Sequence, residues 1–253
     1  MNRGNGRFKQ TPAGSVGVAA EELRRHNLGA ILEQTHLEGP LSRSRLTTTT
    51  GLNRSTVADL IGELTTLGLV TEGPAQITRG RGRPSLQVDV VPHGAVVLAI
   101  EIAVDSLAVA TIGIGGHIFD EIRVARSRGY IAPARVAQDV AQLAGPLLKG
   151  LPADHKLVGV GTAVVGITRR RDGLVHLAPN LGWQEVRLGD LLADSLQLGI
   201  PVRVANDADL GALGEYMRGG RHGVDHLAYV SGEVGIGCGF ILDGRPLLGL
   251  SLI

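Results

Sequence analysis

The chain has 253 residues, of which 43% are hydrophobic and only 3% aromatic, and its formal net charge is +1. It is therefore long enough for two domains, whose cores must be largely aliphatic. Its one cysteine, Cys238, excludes an internal disulfide and a multi-cysteine zinc site within the chain. The most apolar stretch, residues 95–115, is interrupted by Glu101 and Asp105, which excludes a membrane span. No apolar run follows the basic residues 1–10, so we expect a soluble, cytoplasmic protein without a signal peptide.

The first part of the chain is mildly basic. Residues 1–92 carry 11 Lys and Arg against 8 Asp and Glu, whereas the remainder carries 14 against 16. This asymmetry favours contact of the first part alone with an anionic partner such as DNA. Residues 1–20 are rich in glycine, asparagine, arginine and small residues, which predicts a disordered basic tail. A first helix is predicted over residues 21–34.

Residues 40–84 have the pattern of two short helices around a tight turn. Ser42 can cap the first helix and Asn53 the second, and Gly51 lies where the reversal between them favours a positive φ. The four threonines at 47–50 are indifferent helix formers, so the first helix is expected to be short or frayed. Gly68 ends the second helix. Apolar residues of the second helix recur at helical spacing and predict one buried face: Val57, Leu60, Ile61, Leu64 and Leu67.

Segments 69–72 and 86–90 are predicted to pair as the arms of a hairpin, which we call the wing. Between the arms lie three arginines separated by single glycines, and such a basic tip can reach phosphates or the minor groove. In a helix-turn-helix the exposed N-terminal end of the second helix meets base edges in the major groove. Nine residues are therefore candidate DNA contacts: Ser42, Arg43, Asn53, Arg54, Ser55, Thr56, Arg79, Arg81 and Arg83.

Each of these features also has a simpler explanation. A helix with five spaced apolar residues is usually only part of a core, and three arginines in a loop are often a solvated turn. Their order and spacing together favour a winged helix-turn-helix domain over residues 21–92 that binds double-stranded DNA.

From residue 94 the pattern changes to strands that alternate with helices. The nearly continuous apolar run at 96–102 is typical of a strand buried on both faces. The further predicted elements are strands at 107–112, 117–124, 157–165, 201–205, 226–231 and 235–242 and helices at 133–149, 188–198 and 208–218. This order is that of a ribonuclease-H-like lobe, and the final hairpin would begin a second lobe, as in the actin-like ATPase fold. We therefore expect a mixed α/β chain with a first lobe at 93–205 and an incomplete second lobe at 206–253.

Seven segments resemble the ROK family of repressors, open reading frames and kinases. The resemblance is to its transcriptional regulators, which carry a winged helix-turn-helix ahead of a sugar-kinase-like ROK domain. The segments are spread over most of residues 25–249: GPLSRSRL, TGLNRSTV, ELTTLGLV, GRGRPS, APNLGW, VANDADLGALGE and VGIGCGFILDGRPLLG. The glycine motifs alone are weak signals, whereas the GRGRP wing joined to the later NDA motif is a specific combination.

The resemblance implies a sugar site. In the family's kinases the aspartate of the NDA motif is the general base for the sugar hydroxyl, and the preceding asparagine grips the sugar. The matching positions are Asp207 and Asn206, and the APNLGW segment implies that Asn180 lies near the ligand. From the residues alone, the simpler explanation of Asn206 and Asp207 is a cap for the helix that starts at Ala208, and both roles can hold at once.

The chain departs from the kinase pattern around the phosphates of ATP. The family's kinases carry a glycine-containing loop after the first strand, whereas residues 101–106 read EIAVDS, and Val104 obstructs close approach of a backbone to phosphate. Glu233 would add negative charge at the second phosphate loop. That loop keeps three glycines as a remnant: Gly232, Gly235 and Gly237. We expect no kinase activity, no cofactor and no metal.

The resemblance also implies that family members continue past the glycine hairpin. They have a Glu-x-Gly-His motif there, and most have a cysteine-rich zinc loop. The sequence ends at Ile253 without them, so we expect a C-terminally truncated chain whose last hairpin exposes an edge and an apolar face.

Together these expectations indicate a sequence-specific transcriptional regulator, a repressor of carbohydrate-metabolism genes. Its partners would be a double-stranded DNA operator, a sugar or sugar-phosphate effector and a second copy of the chain in a homodimer, without any contact to a membrane. Two alternatives stay open, namely a ROK-type sugar kinase and a non-functional truncated remnant.

Overall fold

The structure is a computed structural model that describes residues 13–74, 86–219 and 223–247. The chain divides into two compact units, Met1–Val90 and Val91–Ile253. Among the described residues, no helix combines the length and the apolar character needed to cross a membrane.

Within residues 13–74 and 86–90, the first unit contains three helices and a small antiparallel sheet. Its elements are α1 (Ala13–Glu38), β1 (Leu41–Ser42), α2 (Arg43–Thr50), α3 (Arg54–Thr66), β2 (Val70–Pro74) and β3 (Leu86–Val90). β3 is central and pairs with both β1 and β2, so the two arms of the wing form as predicted. The helices and the sheet share an aliphatic core: Ile31, Leu46, Val57, Leu60, Ile61, Leu64, Val70 and Val88.

Two predictions for this unit are wrong. Residues 13–20, expected in the disordered tail, belong to α1, and their three alanines are the residue type with the highest helix propensity. Residues 1–12 lie outside the described residues. Leu67, expected in the buried face of α3, is 48% exposed. It is already the C-cap of α3, and Gly68 follows with a φ of 72°, so the backbone leaves the helix before its side chain can reach the core.

α2 is short, as expected, with 8 residues, but it is not frayed, because its four threonines are all helical. Each hydroxyl donates to the backbone carbonyl four residues earlier, over distances of 2.6–3.1 Å. These bonds satisfy the hydroxyls within the helix. The buried Leu46 anchors α2 in the core, which outweighs its weak intrinsic propensity.

The second unit is built around a five-stranded sheet. Its elements are β4 (Val96–Ile102), β5 (Ser106–Gly113), β6 (Ile118–Ala125), α4 (Pro133–Gly150), β7 (Leu157–Val164), β8 (Ile167–Arg169), β9 (Leu174–Ala178), β10 (Trp183–Arg187), α5 (Leu188–Leu196), β11 (Val202–Asn206), α6 (Asp207–Arg218), β12 (Leu227–Gly232), β13 (Ile236–Leu242) and β14 (Arg245–Pro246). The sheet has the order β11-β7-β4-β5-β6, with β4, β7 and β11 parallel and the two β4-β5 and β5-β6 pairs antiparallel. α4 and α5 pack on its core. The predicted elements are present, with ends shifted by at most two residues.

The sheet of β8, β9 and β10 is not signalled by the sequence pattern. β8 has only three residues, too few to show an alternation. Contacts between residues far apart in the sequence hold this sheet in place. Trp183 is buried, and its indole nitrogen donates to the carbonyl of Ile131 at 2.8 Å. This small sheet places Asn180, which follows β9, beside the site described below.

The last sheet, of order β12-β13-β14, packs one face on α6. Its other face carries exposed apolar side chains, among them Val230, Ile236 and Phe240, with exposed fractions of 65%, 83% and 43%. The expected apolar face of the hairpin is therefore present.

Candidate functional site

The N-terminal end of α3 is capped by Asn53. The side-chain oxygen of Asn53 accepts from the backbone amide of Thr56 and from the hydroxyl of Ser55, both at 2.8 Å. Asn53 and Ser55 are therefore engaged in holding the first turn. Arg54 is exposed, and within the described part of the chain it makes no ion pair. Its guanidinium is therefore available to a ligand at this end of the helix.

The start of α2 carries two more of the predicted DNA contacts, and both are engaged within the unit. The hydroxyl of Ser42 accepts from the backbone amide of Arg45 at 3.2 Å, as a cap. The guanidinium of Arg43 donates twice to the carboxylate of Glu72 on β2. This hydrogen-bonded pair raises the pKa of Arg43. The pairing with Glu72 is not visible in the sequence, because 29 residues separate the two partners.

The wing arginines, Arg79, Arg81 and Arg83, lie outside the described residues. Their attachment is defined, because β2 and β3 pair in register from Val70–Val90 to Pro74–Leu86. Their contact with DNA stays a prediction.

A pocket of about 270 Å³ opens in the second unit. It lies where the carboxyl end of β11, the start of α6, the turn after β7 and the β12–β13 turn come together. The side chains and backbone that line it include the predicted sugar residues and the glycine loop: Val104, Gly166, Asn180, Asn206, Asp207 and Gly235. Ligands of α/β sheets bind at such carboxyl ends of strands. The pocket therefore brings together Asn180, Asn206 and Asp207, and their contact with a sugar stays a prediction.

Asn206 performs two tasks at once. Its side-chain oxygen accepts from the backbone amide of Asp209 at 3.0 Å, which caps α6. Its side-chain nitrogen donates to the carbonyl of Gly166 at 2.8 Å and to the carboxylate of Asp207 at 3.0 Å. The cap explanation of the NDA motif is thus correct, and it leaves the carboxylate of Asp207 lining the pocket.

The environment of the pocket favours the protonated form of the Asp207 carboxyl group. Burial raises the pKa of Asp207, and the negative charge of Glu101 adds to the rise, while the amide of Ala208 and the side chain of Asn206 oppose it. Burial also raises the pKa of Asp209 in the same helical turn. A carboxylate that is costly to desolvate can gain stabilisation from a hydroxyl donor such as a sugar.

The turn between β4 and β5 is filled and braced rather than open. Ala103 and Val104 are 6% and 5% exposed, and Val104 lines the pocket. Three arginines from β6 and the residues after it hold this turn. Arg123 pairs with Glu101, the Nε of Arg126 donates to the carbonyl of Val104, and Arg128 pairs with Asp105: a brace that the sequence did not reveal. The buried side chain of Val104 thus occupies the turn at which the resemblance implies a phosphate loop, and the absence of ATP binding there stays a prediction.

Close packing explains why positions 235 and 237 of the β12–β13 hairpin are glycine. A Cβ on Gly237 would lie 3.0 Å from the Cβ of Ala208, and one on Gly235 would lie 3.1 Å from the side-chain nitrogen of Asn180. A Cβ on Gly232 would meet nothing within 4 Å. Gly235 and Gly237 therefore allow α6 and the loop of Asn180 to approach the hairpin closely, with or without a nucleotide.

The fold and the pocket define a class of protein, one with an actin-like ATPase-type lobe preceded by a three-helix unit with a hairpin. The model of the ROK family matches residues 97–251, and the chain belongs to the ROK family.

Similar proteins include both regulators and kinases. The xylose repressor of Caldicellulosiruptor bescii is 31% identical over 218 residues, which is 83% of this chain and 52% of that protein. A glucokinase of Halalkalibacterium halodurans is 33% identical over 113 residues, which is 43% of this chain and 34% of that enzyme. The crystal structure of a ROK family transcriptional regulator, a homologue of the E. coli MLC protein, matches with a TM-score of 0.70 and 24% identity over 90% of this chain and 57% of that one, and so supports the fold. The chain spans about half the length of the curated xylose repressors it matches.

Proposed function

We propose that this protein is a sugar-responsive transcriptional regulator that acts in the cytoplasm as a repressor of carbohydrate-metabolism genes. The observation that carries the proposal is the presence, in one chain, of two parts. One is a unit in which α2 and α3 follow each other around a short turn with Arg54 exposed at the start of α3, and the other is a lobe with a polar pocket at Asn206 and Asp207. The similarity to xylose repressors over more than four fifths of the chain supports this combination.

The first unit would bind operator DNA through α3. Arg54 and Thr56 would meet base edges in the major groove. The hydroxyl of Ser55, which donates to Asn53, would still be able to accept a hydrogen bond there. The three wing arginines would contact phosphates or the minor groove. A homodimer would place two such heads on a palindromic site, since half-site spacing follows the two-fold symmetry of the protein.

The second unit would bind the effector, a sugar or a sugar phosphate. Asn180, Asn206 and Asp207 supply amide and carboxylate groups around one cavity, the combination of donors and acceptors that hydroxyl-rich ligands require. Effector binding would shift the population between states of different DNA affinity.

A sugar kinase is the second candidate, because Asp207 has the raised pKa and the pocket position of a general base and because glucokinases are among the relatives. The filled turn at Val104 argues against it. A coupled assay of sugar-dependent ADP release distinguishes the two, since a kinase would show turnover that disappears in Asp207→Asn.

The regulator proposal is tested by selecting duplexes from random DNA with the full chain, with and without D-xylose, D-glucose and their phosphates. We expect enrichment of a palindromic site and a sugar-dependent change in its affinity. Absence of affinity for any duplex at low ionic strength would disprove the proposal. Enrichment of a site whose affinity no sugar alters would disprove the proposed response to sugar but not the proposed DNA binding.

A further inference from the structure

The last residue of α6 is fastened to a glycine turn at the far end of β5 from the pocket. A guanidinium nitrogen of Arg218 donates to the carbonyl of Gly115 at 2.8 Å. Gly115 and Gly116 both have positive φ, 85° and 83°, and a Cβ on Gly116 would lie 2.9 Å from the central carbon of the guanidinium. The turn therefore packs closely against this side chain. Glycine is favoured at both positions by their positive φ, and at Gly116 also by the lack of space for a Cβ.

The same turn packs on the residues with which the second unit begins. The amide of Ile114 donates to the carbonyl of Ala95 at 2.8 Å. A Cβ on Gly113 would lie 2.3 Å from the carbonyl oxygen of Pro92, so those two backbones are in direct contact. The first unit ends at Val90, two residues before Pro92. A displacement of the glycine turn would therefore also displace Pro92, which lies two residues after the end of the first unit.

The other end of α6 lies in the pocket. Asn206 caps the helix while its side chain is bonded to Gly166 and Asp207, which all line the cavity. α6 has 12 residues, so it spans about 18 Å as one hydrogen-bonded rod. A ligand that shifts the residues at the first turn of α6 would therefore also shift its last turn.

We propose that α6 is the strut that couples effector binding to DNA binding, with Arg218 as the latch that transmits its movement to the Gly113–Gly116 turn and to Pro92. The proposal deepens the regulator function proposed above and rests on it. The guanidinium makes a charge-assisted bond to a backbone carbonyl, which is directional and stronger than a neutral one. Loss of the latch leaves both binding sites intact but uncouples them.

The test is a measurement of coupling in the full chain. The affinity for a duplex selected by the wild-type protein is measured by fluorescence anisotropy, without sugar and with saturating D-xylose, or D-glucose if D-xylose has no effect. Sugar affinity is measured separately by calorimetry. We expect the ratio of the two DNA affinities to be about 5–150 in the wild type. In Arg218→Ala this ratio should fall to within about twofold of unity. The affinity for DNA without sugar and the affinity for sugar without DNA should each stay within about threefold of wild type.

Two further variants sharpen the result. Gly116→Ala displaces the guanidinium without removing its charge, and it should uncouple like Arg218→Ala. Arg203→Ala removes an exposed arginine on β11 and should keep the wild-type ratio. Hydrogen exchange of the wild-type amides at 113–116 provides a readout that needs no variant to fold, and sugar should change their protection.

Wild-type coupling in both Arg218→Ala and Gly116→Ala would overturn the strut, as would unchanged exchange at 113–116 in a wild type whose DNA affinity responds to sugar. Loss of sugar or DNA binding itself in a folded Arg218→Ala would also overturn it, because the arginine would then support a site rather than connect two. A wild type that binds no DNA, or whose binding no sugar alters, would instead disprove the regulator function, and the strut with it.

Discussion

The carboxylate of Glu72, on the first arm of the wing, holds the guanidinium of Arg43 at the first residue of α2, with Nε and Oε1 2.6 Å apart and a second hydrogen bond beside it. Arg43 is one of the residues whose position in the sequence predicts a contact with DNA. A phosphate and Glu72 would therefore compete for the same guanidinium. The carboxylate also joins the wing to the helix-turn-helix, since the two residues belong to β2 and α2.

Replacement of Glu72 by Gln should release Arg43 to the DNA backbone. We expect tighter binding to all duplexes at low salt and a salt dependence steeper by about 0.9 in log–log slope, the value for one additional phosphate contact. Arg43→Ala in the Glu72→Gln background should remove the gain. Anisotropy titrations over a range of salt concentrations measure both. An unchanged slope in Glu72→Gln would mean that Arg43 does not face phosphate.

Arg54→Ala should relax sequence preference rather than weaken binding uniformly. The exposed guanidinium at the start of α3 is free to form a bidentate contact to guanine, which discriminates against the wrong base by about 1–3 kcal/mol. Competition between the selected site and single-base variants of it measures this loss. Equal weakening on selected and random DNA would instead place Arg54 on the phosphates.

Joint replacement of Arg81 and Arg83 by Gln should have the complementary effect. If both reach phosphates, affinity for every duplex falls and the log–log salt slope becomes shallower by about 1.8, because each lost contact contributes about 0.9. Sequence preference should stay as in wild type. A shift in base preference without a change in slope would assign these arginines to base readout.

Local and long-range features of this chain differ in how far the sequence predicts them. The caps at Asn53 and Asn206, the glycine that ends α3 and the strand at Val96–Ile102 follow from residues within one or two turns of each other. The bond from Arg218 to Gly115 joins residues 103 positions apart, and the brace on the β4–β5 turn joins residues 22 or 23 apart, so neither leaves a periodic signal. The candidate sugar residues were predicted only through the family motif, since a cap explains Asn206 equally well from local pattern.

The two roles of Asn206 can be separated by two substitutions. Asn206→Ser keeps a hydroxyl that can cap α6 but cannot reach Gly166, whereas Asn206→Ala loses both functions. We expect Asn206→Ala to destabilise the protein by about 0.5–2 kcal/mol more than Asn206→Ser, the usual contribution of a cap. Urea midpoints measure this difference. Both variants should lose sugar binding in calorimetry, and sugar binding that survives in Asn206→Ser would limit the asparagine to its cap.

Asp207 and Asp172 should give pH dependences of opposite sign. Burial raises the pKa of Asp207, so the folded chain holds this proton more tightly than the unfolded chain. Ionisation therefore lowers stability, an effect that is absent below the unfolded pKa and develops as the pH rises through the folded pKa. Asp207→Asn, whose amide oxygen can still accept from Ala208 and Asn206, should melt higher than wild type at neutral pH and equal to it in acid.

Asp172 is the matched control. Its bonds with Arg169 lower the pKa of its carboxyl group to about 2. Its contribution to stability is fully present above the unfolded pKa and is lost as the pH falls through the folded pKa of about 2. Asp172→Asn should therefore melt lower than wild type at neutral pH, with the difference shrinking towards about pH 2. Thermal melts of the three proteins from about pH 2 to about pH 8 decide the matter. An Asp207→Asn variant that is less stable than wild type at neutral pH would show that the helix N-terminus and its hydrogen bonds, rather than burial, dominate the environment of this carboxylate.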